Sequence, residues 1–196
     1  VPEFAQRRTY ILKKIGRSFY QRDAEKLARD LIGAVLVRRA RGREYRARIV
    51  EAEAYVGPQD LASHSSRGRT KRTEVMFRPP GHAYVYLVYG MYEMFNIVAG
   101  KTGGGQAVLI RAAEPLDGWK AELSGPGKLT RAFKITRSAN GLDLTGDSLY
   151  LLHDPDYKPR TRRAKRIGVE YAGAWKDEQL RFFDDKSKAV THRPAD

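Results

Sequence analysis

Residues 83–100 read AYVYLVYGMYEMFNIVAG, and the fold turns on how they are taken. The run has a period of two, the mark of a half-buried strand rather than a helix. Tyr84, Tyr86 and Val88 share one face, and Val85, Leu87 and Tyr89 the other. Gly90-Met91 lies between two tyrosines with glycine at the first central position, which predicts a type II′ hairpin turn. The return strand carries Tyr92, Met94, Asn96 and Val98 on one face. The stretch is therefore a hairpin with aromatic side chains at its tip and along both arms. An exposed tip of that kind marks an interaction site.

Composition narrows what the tip meets. The chain has 196 residues, enough for one domain with a proper core, and 41% of them are hydrophobic. Lys+Arg 37 against Asp+Glu 23 leaves a net charge of +14, beyond what solubility requires, and points to a polyanion. Cysteine is absent, which excludes a disulfide framework and a thiolate metal site. The four histidines, at 64, 82, 153 and 192, lack the spacing of a zinc site. Nothing calls for a metal or a cofactor. The longest apolar run is the hairpin itself, and Glu93 with the period of two argues against a membrane span. Residues 1–8, beginning Val-Pro-Glu-Phe, read as a processed or artificial end, residues 9–184 as a single domain, and residues 185–196 as a mobile polar tail.

Toward the N-terminus, residues 45–56 read YRARIVEAEAYV. As a strand they line up Tyr45, Ala47, Ile49, Glu51, Glu53 and Tyr55 on one face. The two carboxylates stand about 6.5–7 Å apart at the backbone. Beside an apolar wall such a pair shifts its protonation, which makes it a candidate acid/base couple. Residues 23–32 predict an amphipathic helix with Leu27 and Leu31 on its buried face and Gly33 closing it. Strands are expected from 34, over 106–112 with Arg111 at the end, and over 149–152; a short helix is expected over 129–133 and a short apolar element over 180–183.

The loops carry the charge. Arg67, Arg69, Lys71 and Arg72 stand among glycine, serine and threonine, the composition of a loop that contacts phosphates. A second tight basic turn, residues 124–128, adds Lys128. Residues 158–166 hold six cations and no acid. Gly100-Lys101-Thr102 imitates the end of a P-loop, but the glycine that pattern needs is Phe95, inside a strand, so the pattern is excluded.

The order of these features resembles the alkyladenine (3-methyladenine) DNA glycosylases of the mammalian type. The blocks are RIVEAEAYVGPQD, ASHSSRGRT, MFRPPGHAYVYLVYGMYEMFNI, VLIRAAEPLDG, SGPGKL and LRFF, together spanning about residues 48–183. The resemblance implies an α+β fold: one mixed domain with a curved antiparallel β-sheet packed by helices, and a protruding β-hairpin that enters the DNA minor groove. It implies that Glu53 activates water and that Arg111 stands beside it. Tyr55, His64 and Tyr86 would enclose an extruded base, with Tyr55 and Tyr86 on its opposite faces. Asn96 would disfavour the amino group of normal guanine, and Tyr89 would fill the gap left in the duplex. The role of Glu51 is left open. Ser66 and Lys71 depart from the family pattern and alter the loop expected to contact phosphates.

The physics is compatible with those roles. A base must leave the stack before its glycosidic bond can be attacked, and an apolar wedge in the minor groove offsets the lost stacking. A carboxylate near C1′ stabilises the oxocarbenium character of the sugar and accepts the proton of the attacking water. No lysine occupies the place of a Schiff-base nucleophile in the catalytic blocks, so an abasic site in an intact strand is expected. The expected partner is double-stranded DNA containing damaged purines, with no membrane, bound by a monomer in the bacterial cytoplasm at the nucleoid or, in a eukaryote, in the nucleus. Two other classes fit the charge and the aromatic hairpin: a non-catalytic damaged-DNA-binding module and an RNA-binding domain. Neither has a use for a buried Glu53.

Overall fold

Arg43–Tyr55 forms a strand of 13 residues, and the other elements are placed by what pairs with it. The structure is a computed structural model that describes residues 12–194; the end expected at 1–8 lies outside the described residues. In chain order the elements are β1 (Lys13–Lys14), α1 (Arg17–Tyr20), α2 (Ala24–Asp30), β2 (Val35–Ala40), β3 (Arg43–Tyr55), β4 (Ala83–Val88) and β5 (Tyr92–Ala99). There follow β6 (Gln106–Pro115), α3 (Pro126–Phe133), β7 (Leu149–His153), β8 (Thr161–Ala164) and β9 (Arg181–Asp184), with short 3-10 turns between.

The strands make an open, curved antiparallel sheet in the order β1-β7-β2-β3-β6-β5-β4. One edge of β3 is shared: β2 pairs with its first half, and β9, with β8 outside it, pairs with Glu51, Ala52 and Glu53. The architecture is α+β in one sheet. Helix α2 is capped by the Asp23 side chain, which accepts the Lys26 N–H at 2.8 Å, and it turns Leu27 and Ala28 into the core. Leu27, Leu31, Leu129, Phe133, Ile49 and Ile110 meet there, all fully buried. A cavity left by Leu27→Ala would cost about 2–5 kcal/mol.

Two bulges change which face β3 shows. Pairing with β6 runs Ile49↔Ala113, Glu51↔Ala112, then Ala52↔Ile110, so Val50 on one strand and Arg111 on the other have no partner. Ala47 and Ile49 point into the main core, and after the bulge Ala52 and Ala54 do. The single odd-numbered face expected from the alternation is therefore corrected: Glu51, Glu53 and Tyr55 leave the face of Ile49 for the opposite one. Bulges re-aim side chains in this way beside functional sites.

The hairpin keeps the expected register, Tyr84↔Asn96, Tyr86↔Met94 and Val88↔Tyr92. Its turn differs. Tyr89 and Gly90 both have positive φ, 51° and 68°, and Met91 N–H donates to Val88 C=O. The turn is thus centred one residue earlier than expected and has the type I′ signature of two left-handed residues. Helix α3 braces one arm: Thr130 Oγ1 donates to Glu93 C=O at 2.9 Å, and the Tyr92 ring lies so close to Gly127 that a Cβ there would stand 2.9 Å from it.

Within the polar tail, Ser187 and Val190 are buried while Lys186, Lys188, His192 and Arg193 are exposed. Thr191 in this segment is hydrogen-bonded to Glu51, described below.

Candidate active site

The hairpin register puts Tyr84, Tyr86, Met94 and Asn96 on one face, and β6 adds Leu109 and Arg111 beside them. These residues, with Tyr55, His64 and the segment 167–171, wall a cavity of about 550 Å³, and Val88 and Tyr89 stand at its rim. Tyr89 is 86% exposed at the hairpin tip. Its positive φ is uncommon for a bulky residue, and such strain concentrates at functional sites.

Glu53 lies beneath this cavity with no exposed surface. Its Oε1 accepts the Ile167 N–H at 2.8 Å, its Oε2 accepts the Tyr55 hydroxyl at 3.1 Å, and Arg111 Nη1 is 3.4 Å from Oε1. All three partners line the cavity, so Glu53 is one layer behind the wall. Burial pushes its carboxyl above the usual carboxylate range, opposed by Arg111, the Ile167 N–H and the Tyr55 hydroxyl. The same burial holds the Tyr55 phenol well above its ordinary value, so it stays a donor to Glu53.

Glu51 has a different setting. Its carboxylate receives Arg181 Nη1 at 2.9 Å, the Thr191 N–H at 2.7 Å and the Thr191 hydroxyl, while Arg111 Nε stands 3.5 Å away. Two acids that look alike in sequence thus divide the work. Glu51 ties the C-terminal segment down, and Glu53 faces the cavity wall. Arg111 spans both.

The His64 ring packs edge-on against Tyr86 with centroids 4.4 Å apart, and its Nδ1 is 2.9 Å from the Tyr84 hydroxyl. Burial, with Arg72 and Arg67 nearby, pushes its pKa down to about 4, so the ring is neutral near pH 7. Asn96 is pinned by donating Nδ2 to the carbonyls of Tyr84 and Met94, at 3.1 and 3.4 Å.

The residues singled out in the sequence for base contact and chemistry, Glu53, Tyr55, His64, Tyr86, Tyr89, Asn96 and Arg111, thus gather around one cavity. The cations expected on phosphates are all exposed. Arg72 also lines the cavity, its guanidinium 5.5 Å from the Tyr86 ring centre, while Arg69 pairs with Glu74 and Lys128 with Glu122. Ile167, whose contribution is a backbone N–H, and Tyr171 also line the cavity and carry no signal in the sequence. Arg166, the last cation of the basic run 158–166, is buried against Asp60. Among the described residues no group of His, Asp and Glu is placed to hold a metal ion, and no helix is long and apolar enough to cross a membrane.

Residues 18–188 match the sequence model of the family described as methylpurine-DNA glycosylase. The chain belongs to that family. It is accordingly a DNA glycosylase, a hydrolase of N-glycosyl bonds in DNA, and the cavity beneath the hairpin is the candidate active site of this glycosylase. A protein of Anaeromyxobacter sp. (strain Fw109-5) with the name "Putative 3-methyladenine DNA glycosylase" is 46% identical over 184 residues, covering 93% of this chain and 95% of its own. Proteins of the same name from Desulfitobacterium hafniense (strain Y51) and Legionella pneumophila (strain Corby) are 43% and 47% identical, covering 92% and 88% of this chain and 99% and 94% of their own.

Proposed function

We propose that this glycosylase is monofunctional. It turns alkylated or deaminated purines out of duplex DNA, hydrolyses the N-glycosidic bond with water activated by Glu53, and leaves an abasic site in an intact strand, as the opening step of base excision repair. The observation that carries this reading is the setting of Glu53: a buried carboxylate held by two hydrogen-bond donors and an ion pair with Arg111, under an aromatic cavity at the foot of a hairpin with an exposed tyrosine at its tip. A module that only binds nucleic acid has no use for a carboxylate so placed.

Tyr89 enters the minor groove and fills the vacated stack, offsetting an unstacking cost of about a few kcal/mol. The purine lies between Tyr55 and Tyr86, with His64 at its edge. Asn96, pinned by two carbonyls, cannot swing away from the amino group that distinguishes normal guanine. As the C1′–N bond breaks, its electron pair leaves with the base, and a base made cationic by alkylation departs neutral. Water adds to C1′ and its proton goes to Glu53. Ionised Glu53 also offsets the positive charge that develops on the sugar. A neutral lesion needs a hydrogen-bond donor instead. His64, neutral near pH 7, can supply an N–H but not an imidazolium proton. Arg67, Arg69, Lys71, Arg72 and Lys128 hold the backbone phosphates. Among the described residues that line the cavity none is a lysine, so the strand is left uncut.

The test is product analysis on duplexes holding one hypoxanthine, one ethenoadenine or one 3-methyladenine. Free base, with strands that break only after alkali, is the expected result. Direct strand cleavage would contradict monofunctional chemistry, and binding without release on any lesion would leave a damage-binding module.

A further inference from the structure

Arg166 and Asp60 form a two-pronged ion pair in which neither side chain has exposed surface: Nη1 to Oδ2 at 2.5 Å and Nη2 to Oδ1 at 2.9 Å. A pair this deep gains little net stability over apolar side chains of the same volume, and neither residue lines the cavity. Its contacts say what it holds. Arg166 Nη1 also donates to the Ala54 carbonyl at 2.9 Å, one residue before Tyr55, and its guanidinium carbon lies 4.9 Å from the Tyr55 ring centre. Asp60 accepts the Val56 N–H, one residue after Tyr55, at 3.2 Å, and the Ala62 N–H at 3.0 Å. The residue following Arg166 is Ile167, whose N–H sits on Glu53. The pair therefore grips the chain on both sides of Tyr55 and fixes the start of the segment that reaches Glu53.

We propose that Asp60 and Arg166 are positioning residues for base excision: their fork supports the Tyr55 ring from behind the cavity and sets the Ile167 N–H on Glu53. The inference rests on the roles proposed above for Glu53 and Tyr55, and it adds a second layer that acts only through them. Lysine at 166 would keep the charge but not the planar fork that reaches Asp60 and Ala54 together. The Ile167 N–H favours ionised Glu53. Loosening it therefore moves the acid limb of the reaction to higher pH as well as slowing it.

The experiment compares the native chain, Arg166→Lys, Asp60→Asn and Glu53→Gln in single-turnover base release from a hypoxanthine duplex at saturating enzyme, across the acid limb. Affinity for the same duplex and exchange of the Ile167 amide are measured alongside. Arg166→Lys is expected to slow release roughly 10–100-fold, the loss that follows a small misplacement of a catalytic group. Its acid limb should move upward, its affinity change less than about threefold, and its Ile167 amide exchange more than about tenfold faster. A folded Arg166→Lys with the native rate, native acid limb and native Ile167 exchange overturns the proposal, whatever its melting temperature. If Asp60→Asn does not fold, Arg166→Lys decides, since it keeps a cation opposite Asp60. No release by the native chain would overturn the glycosylase reading itself, and the amide exchange would still report whether the fork holds Ile167.

Discussion

The Ile167 N–H donates to Glu53 Oε1 at 2.8 Å across 114 residues of chain. A backbone donor has little freedom to move, so the carboxylate it holds keeps one orientation. With the Tyr55 hydroxyl on the other oxygen, the lone pairs left to Glu53 are restricted in direction. A proton acceptor that must meet water at one place needs that restriction.

Burial and Arg111 act in opposite directions on the ionisation of this carboxylate. Burial raises the pKa of Glu53 and Arg111 is the largest influence lowering it. The acid limb of base release is expected above the ordinary carboxylate range, with activity present at higher pH, where Glu53 is ionised, and lost as pH falls through its pKa. Arg111→Gln should move that limb further upward and lower the neutral-pH rate roughly 100-fold. It should also destabilise the fold by about 3–5 kcal/mol, because two buried carboxylates lose a shared cation. Single-turnover rates against pH, with denaturant unfolding, check both.

Glu51→Gln should separate the two acids. Glu51 holds Thr191 and Arg181, so the change is expected to cost roughly 2–3 kcal/mol and to speed exchange of the Thr191 amide. Maximal base release should stay within about threefold of native, since Glu53 keeps its own donors. A collapse of the rate with unchanged stability would put Glu51 in the chemistry.

His64 gives the protein an acid-sensitive core. Its pKa in the fold is about 4 against an ordinary 6.5, so the unfolded chain binds the proton first as pH falls. Stability should therefore be complete above about pH 6.5 and decline toward pH 4, by on the order of 2–3 kcal/mol from this residue. Urea unfolding at the two ends of that window is the measurement. His64→Gln, which cannot take up the proton, should lose less than the native chain.

Tyr89→Ser should act on DNA and not on the fold. The side chain is 86% exposed, so stability is expected to change by less than about 0.5 kcal/mol. Affinity for a lesion duplex should fall roughly 10–100-fold as the vacated stack goes unfilled. Titration of the duplex at one fixed salt concentration checks it.

Much of this site was legible in sequence, for identifiable reasons. The hairpin declared itself because its two arms alternate without interruption, and its register then brought Tyr84, Tyr86 and Asn96 together. Glu53 and Tyr55 stood out as polar groups in an apolar strand. The bulges at Val50 and Arg111 were not legible, because the alternation looks unbroken in one strand and the slip exists only in the pairing. Nor was the turn, where Tyr89 takes a positive φ that glycine would have signalled. Arg166 looked like its exposed neighbours because the acid that pairs with it is 106 positions away. The tail composition is polar, yet Glu51 supplies it with a buried anchor that composition cannot register.

The most direct test of the account is Glu53→Gln beside the native chain on a single-hypoxanthine duplex, with base release and binding measured at the same stated salt. Glutamine keeps the shape and can still accept the Ile167 N–H, but it cannot take a proton from water. The account predicts native-like binding with base release reduced at least about 1,000-fold. Release at a near-native rate by Glu53→Gln would contradict it, and would move the activation of water away from this carboxylate.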